Sequence, residues 1–153
     1  MTESEYDLET PRVLWAGTAT IAAAVAAVLA LREVAGRVIH PVRAFEPLTT
    51  PAPAIVDTVL CTAVAIFVFI NVASYPHPVR TWNRVAAAVL ILSFIPDILL
   101  AISHSMGGGW PEACALMAMH VAVWAICVTL LPWLAFTRQP RPSEERARPL
   151  SIL

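Results

Sequence analysis

Asp57, Asp97, His104 and His120 are the side chains in this sequence whose types and positions suit chemistry. Three of them interrupt long apolar runs, and His104 lies just past the end of one. A charge at the centre of a bilayer costs about 3 kcal/mol or more, so such a residue needs a partner or a task. At ~1.5 Å of rise per helical residue, Asp57 is roughly 5 Å, Asp97 about 9 Å and His120 about 10 Å from the same end of their runs, with His104 at the boundary. A shared depth on separate segments is the geometry of a meeting point.

Several chemistries suit that set. An Asp97–His120 hydrogen bond would fix the register of two helices, with Asp57 reaching interfacial water; such contacts contribute ~0.6–2 kcal/mol in membranes. A carboxylate beside an imidazole is also a proton or ion relay. Asp57, Asp97, His104 and His120 together offer ligands chemically suited to Zn²⁺, Mn²⁺ or Fe²⁺, although the chain has no HExxH and no i,i+4 histidine pair. Haem would need His104 and His120 facing each other at one depth; His104 is too shallow and there is no CxxCH. No cofactor is specified. Cys61, Cys114 and Cys127 form no CxxC and are expected to pack as small hydrophobes.

Helical spacing arranges these residues on faces. Ser93, Asp97 and His104 fall on one side of their helix. His120 falls with Leu116, Trp124 and Cys127, and Asp57 with Cys61, Val64, Val68 and Asn71. Pro96 lacks an N–H and frees the carbonyl of Leu92 beside Asp97. Met106-Gly107-Gly108-Gly109-Trp110 reads as a tight turn, with a lid over the cluster as the alternative.

The elements that must position these residues are membrane spans. Hydrophobic residues make up 58% of the 153 and charged residues only 14%, against ~25% charged in soluble domains; mean hydropathy is +0.70. Net charge is −1 with no basic patch, which excludes nucleic acid as a partner. Four runs approach the ~20 residues that cross a bilayer: 13–31, 54–73, 85–103 and 113–136. Thr50-Pro51 and Pro53 read as the cap and first turn of the second. The first is expected to be a retained span, because its leader carries Glu3, Glu5, Asp7 and Glu9 where a signal peptide carries basic residues.

The expected fold is an all-α, antiparallel four-helix transmembrane bundle over 13–136, with an N-terminal arm at 1–12 and a disordered tail at 137–153. The first loop, after Arg32, is expected to begin as a short interfacial helix carrying Val34, Val38 and Ile39. Arg12, Arg80, Arg84, Arg138, Arg141, Arg146 and Arg148 flank one side, and Arg32, Arg37 and Arg43 the other. The positive-inside rule then puts both termini in the cytoplasm, and the plasma membrane is the expected location. Trp15, Trp82 and Trp133 fall at the cytoplasmic ends and Trp110 at an outer end, as in an aromatic belt.

Ile95-Pro96-Asp97, Ala118-Met119-His120-Val121 and Leu131-Pro132 resemble segments of small four-helix actinobacterial integral membrane proteins that carry a domain of unknown function. The resemblance covers residues 13–136 and implies a four-span fold without an assigned activity. Small multidrug exporters share only the span count, since they use a glutamate in a first helix that is uncharged here. Vitamin K epoxide reductase-like proteins need a CxxC. The role expected is a small membrane interaction or accessory component, partnered by the bilayer and by a second copy or another membrane protein. The alternative is a proton- or metal-linked transporter or membrane enzyme centred on Asp97 and His120.

Overall fold

A computed structural model describes residues 6–8, 10–40, 45–104 and 107–138. Five helices follow one another: α1 (Thr10–Ile39), the single turn α2 (Glu46–Thr49), α3 (Pro51–Val72), α4 (Pro78–Ser103) and α5 (Trp110–Ala135). α1, α3, α4 and α5 are each long and apolar enough to cross a membrane, and they form the all-α four-helix bundle. Strands β1 (Tyr6–Leu8) and β2 (Phe136–Arg138) pair antiparallel, Tyr6 opposite Arg138 and Leu8 opposite Phe136. This ribbon joins residues 6–8 to the exit of α5. α1 begins at Thr10, within the expected arm, and β2 takes in Thr137 and Arg138 of the expected tail. The acidic residues of 1–5, Glu9, and the tail from Gln139 lie outside the described residues.

Helices outrun the apolar runs because backbone hydrogen bonding does not stop at the hydrocarbon boundary. α4 takes in Arg80 to Arg84 from its proline start at Pro78. α1 continues to Ile39, so the expected interfacial helix is the last two turns of α1, with Glu33 and Arg37 paired i,i+4 at 3.0 Å. It stops at His40, whose φ of 51° is left-handed, a helix-ending conformation before Pro41. α3 starts at Pro51, but the Thr50 hydroxyl does not cap it. That hydroxyl donates to the Glu46 carbonyl at 3.2 Å instead. Pro51 and Pro53 have no N–H, which leaves fewer first-turn donors to cap.

Lipid is as apolar as leucine, so helices associate in a bilayer by fitting closely. Ala16, Thr20, Ala24 and Val28 recur every fourth residue along α1 and are all buried. Thr20 turns its hydroxyl back to the Ala16 carbonyl at 2.7 Å, which keeps this seam satisfied. A side chain at Gly17 would come within 3.2 Å of Ile66, which shows how near α3 runs. α1 therefore packs along both α5 and α3, and α4 leans on α5. α3 and α4 are consecutive, yet they touch each other far less than either touches its other neighbour. Around the bundle the order is α3, α1, α5, α4, with an open side between α4 and α3.

Two apolar clusters close the ends. Near the chain termini, Phe69, Val72, Trp82, Ala86, Cys127 and Leu131 pack together, and the Trp82 ring meets the edge of Phe69 at 5.3 Å and 79°. Trp82 is thus 2% exposed, and the expectation that it belongs to an interfacial belt is corrected; Trp15, Trp110 and Trp133 are the exposed ones. At the opposite end, Phe45 and Leu48 plug the bundle against Val28 and Met119. The glycine loop joins that plug: a Cβ on Gly108 would lie 2.7 Å from the fully buried Phe45 ring and 2.8 Å from Leu100. Gly109 then opens α5, its N–H donating to the Glu112 carboxylate at 2.9 Å. Gly107 and Gly108 belong to a packed turn; Ser105 and Met106 lie outside the described residues.

Gly108→Ala is expected to lower stability by about 1–3 kcal/mol through overpacking against Phe45. Gly36→Ala, with nothing within 4 Å in the interior of α1, is expected to raise it by roughly 0.5–1 kcal/mol. Thermal unfolding of both variants in one detergent checks the pair.

Candidate functional site: a groove between two helices

The open side of the bundle contains a groove of about 380 Å³. α3 and α4 form its walls and α5 its floor. The wall stripe of α3 is Asp57, Cys61, Val64 and Val68, and that of α4 is Val85, Val89, Ser93 and Asp97. Both stripes repeat at helical spacing. Leu116, His120, Trp124 and Cys127 of α5 complete the floor, and Trp82 lies at the far end of the α4 wall. Asp57, Cys61, Val64 and Val89 are exposed, so the groove opens sideways along its rims, into the level that lipid would occupy. Asp97, His120, Ser93 and Asp57 lie towards the end remote from the termini, and most of the remaining length is apolar.

Asp97 and His120 lie side by side across α4 and α5. His120 Nε2 is 3.3 Å from Asp97 Oδ2, with the carboxylate side chain 7% exposed and the imidazole 41%. The distance is that of an ion pair or long hydrogen bond, but the direction is poor. Asp97 Oδ2 is buried and makes no aligned hydrogen bond with any described donor. The indole Nε1 atoms of Trp82 and Trp124, on the same groove, are buried without an acceptor as well. A buried polar atom left unpaired costs about 1–3 kcal/mol; among the described residues Arg32 Nε and Thr62 Oγ1, which do not line the groove, are in the same state. Ser93 is already occupied, its hydroxyl donating to the Leu90 carbonyl at 2.7 Å.

The other sequence candidates separate. Asp57 lies on the exposed rim of α3 and lines the groove, and among the described residues it forms no ion pair with His120. His104 does not line the groove. It ends α4 in the left-handed conformation with φ 52°, exposed, about 10 Å of helix beyond Asp97. Its backbone role explains its position at the span boundary. Among the described residues no three His, Cys, Asp or Glu side chains gather where a metal ion could sit. Cys127 packs in the core, whereas Cys61 and Cys114 are exposed, Cys61 on the groove rim. Asn71 leaves the α3 stripe and donates to the Phe67 carbonyl at 2.7 Å.

Trp82, Val85 and Val89 escape a reading based on ionisable residues. Stepping back by fours from Asp97 through Ser93 reaches Val89 and Val85, so the α4 wall was encoded in spacing that apolar side chains made inconspicuous.

No protein family, curated protein or solved structure matches the chain. The groove and its Asp97–His120 end therefore carry the functional reading by themselves.

Asp97→Asn and His120→Ala are each expected to destabilise the protein, with the double variant falling short of the sum by about 0.6–2 kcal/mol. Asp57→Asn, from an exposed rim, is expected to add independently to either. Unfolding midpoints of the wild type, the three single variants and the three double variants in detergent complete the comparison, and strict additivity for Asp97 and His120 would mean that their contact contributes nothing.

Proposed function

We propose that this chain is a small membrane interaction component that takes up a membrane-dissolved ligand sideways through the opening between α3 and α4, with Asp97 and His120 as the polar end of the site. One observation supports this reading above the others: the unaligned Asp97–His120 contact joins the wall and the floor of a laterally open groove that is mostly apolar. Pockets that hold small molecules share this make-up, mostly apolar with a few convergent polar groups, and lie between the helices of bundles. A purely structural pair would be better placed facing inward on all sides, with both atoms aligned. The arginine bias supports a plasma-membrane orientation with the termini, and the ribbon near them, on the cytoplasmic face and the Asp97–His120 end towards the outside.

Addition of a total lipid extract from the producing cells is expected to raise the unfolding temperature of the purified protein; a ligand at a hundred times its Kd stabilises by about 2.7 kcal/mol. Ser93→Trp, which fills the groove beside Asp97, is expected to abolish that response. Val89→Trp, on an exposed rim, provides a second block should the first variant fold poorly. An extract response that both variants retain at full size would sink the groove as the site. Topology is checked separately: reporter enzymes fused after Leu153 and before Met1 are both expected to be active only in the cytoplasmic form.

A further inference from the structure

Arg80 and Arg84 stand one turn apart near the start of α4. Both are exposed, and among the described residues neither forms an ion pair. The chain has no acidic residue between Asp57 and Asp97, so nothing on the α3–α4 turn or the first half of α4 offsets their charge. At the other end of the bundle, by contrast, Arg37 is neutralised by Glu33 at 3.0 Å. Two uncompensated guanidiniums on adjacent turns attract an anion, and their planar forks fit phosphate oxygens two at a time.

Their place on the helix says where that anion comes from. At 3.6 residues per turn, Arg80, Arg84, Ala88, Ile91, Ile95 and Ile102 fall within an arc of about 80°, and all six are exposed. Trp82, Ala86 and Asp97, all buried, lie on the far side of the helix. The arginines therefore head the face of α4 that lipid covers. Arg84 directly precedes the apolar run 85–103, where hydrocarbon gives way to headgroups. Helical side chains lean towards the N-terminus, which for α4 is the aqueous end, so both guanidiniums reach towards the phosphate level. Ala88 is small and leaves space for an acyl chain directly below them.

We infer that this face of α4 is a docking surface for an anionic phospholipid, with its headgroup phosphate held by Arg80 and Arg84 and one acyl chain lying against Ala88, Ile91 and Ile95. The surface faces away from the groove and does not rest on the groove's role. A zwitterionic lipid brings a cation of its own to the arginines and gains less. An acidic protein segment would supply the charge but nothing for the apolar face beneath it. Native mass spectrometry of the full chain, released from detergent holding equal amounts of phosphatidylglycerol and phosphatidylcholine, reads the preference. Phosphatidylglycerol is expected to be retained at least tenfold over phosphatidylcholine. Arg80→Gln and Arg84→Gln are each expected to lower that ratio roughly fivefold, and the double variant to abolish it. Arg37→Gln and Ser93→Trp are expected to leave it unchanged.

A phosphatidylglycerol carrying a diazirine in its acyl chain, in phosphatidylcholine nanodiscs, locates the tail. Labelling is expected to concentrate on Ala88, Ile91 and Ile95 over Phe67, which is exposed on α3, and to even out in the double variant. Raising the ionic strength is expected to weaken the wild-type preference, a check that holds should the double variant fold poorly. Equal retention of the two lipids, a preference that survives in the double variant, or one indifferent to salt would overturn the assignment to these arginines. Displacement of the lipid by soluble glycerol 3-phosphate would reduce the surface to an anion site without a chain. Displacement by polyglutamate would replace the lipid by an acidic protein partner. In the double variant, any response of the unfolding temperature to lipid extract belongs to the groove, so the two readings fail separately.

Discussion

Close approach of helix backbones is the constraint on which the rest of this structure depends. A leucine gains little by leaving lipid for another leucine, so a membrane bundle is held where small residues let surfaces fit. Here the small residues are spent unevenly. Ala16, Thr20 and Ala24 seat α1 closely in the bundle, and Gly17 lets α1 approach Ile66 of α3. α4 rests on α5 through Ala86 and the α5 seam of Cys127 and Leu131. No comparable seam joins α3 to α4. They are held at one end by a short turn and the Phe69–Trp82 edge contact, and their outward faces carry large side chains such as Phe67, Leu60, Ile91 and Leu92. The groove is a consequence of which faces were made smooth.

Placing Asp97 beside that groove turns a packing gap into a polar site. A carboxylate in a low-dielectric setting is tolerated only with donors around it. α5 supplies one, His120, at 3.3 Å and at a poor angle, and α4 itself supplies little because Ser93 donates back to its own helix. Asp97 is therefore held at its depth by a helix that contains Pro96, yet it is incompletely satisfied. That balance differs from the treatment of other polar residues in the spans. Thr20, Thr58 and Thr129 each donate to a carbonyl four residues earlier and ask nothing of their neighbours. Asp97 differs, because its buried Oδ2 has no such local partner among the described residues.

What could be read in advance was depth, and what could not was direction. Span number follows from apolar length, and the common level of Asp97 and His120 follows from counting residues along two such spans, so both were legible. Whether a residue faces lipid, groove or neighbour depends on how each helix is rotated, and that is set by partners distant in sequence. Trp82 has the depth of a belt residue but turns inward, because Phe69 returns beside it after a short turn. His104 has the face of Asp97 by spacing, but the helix ends there and a left-handed residue no longer follows helical periodicity. Thr50 has the sequence of a cap, yet two prolines remove the donors a cap would serve. α1 runs past Arg32 for the same reason that hydropathy misplaces helix ends: arginine forms helix well, and only lipid objects to it.

The gap between α3 and α4 also determines how anything would reach Asp97. The plug of Phe45 and Leu48, pinned by Gly108, covers the end of the bundle nearest the carboxylate, and the Phe69–Trp82 cluster closes the other end. Both ends are therefore sealed by side chains that could move only at the expense of the cores that define them. The side is different: its rims are Val64 and Val89 on helices that hardly touch, so entry there breaks no packed contact. A route along the bundle axis would require Phe45 to leave a fully buried position, while a lateral route requires only that lipid be exchanged for ligand. Lateral entry is the route that the proposed function calls on, and among the described residues it is the one that displaces no buried aromatic side chain.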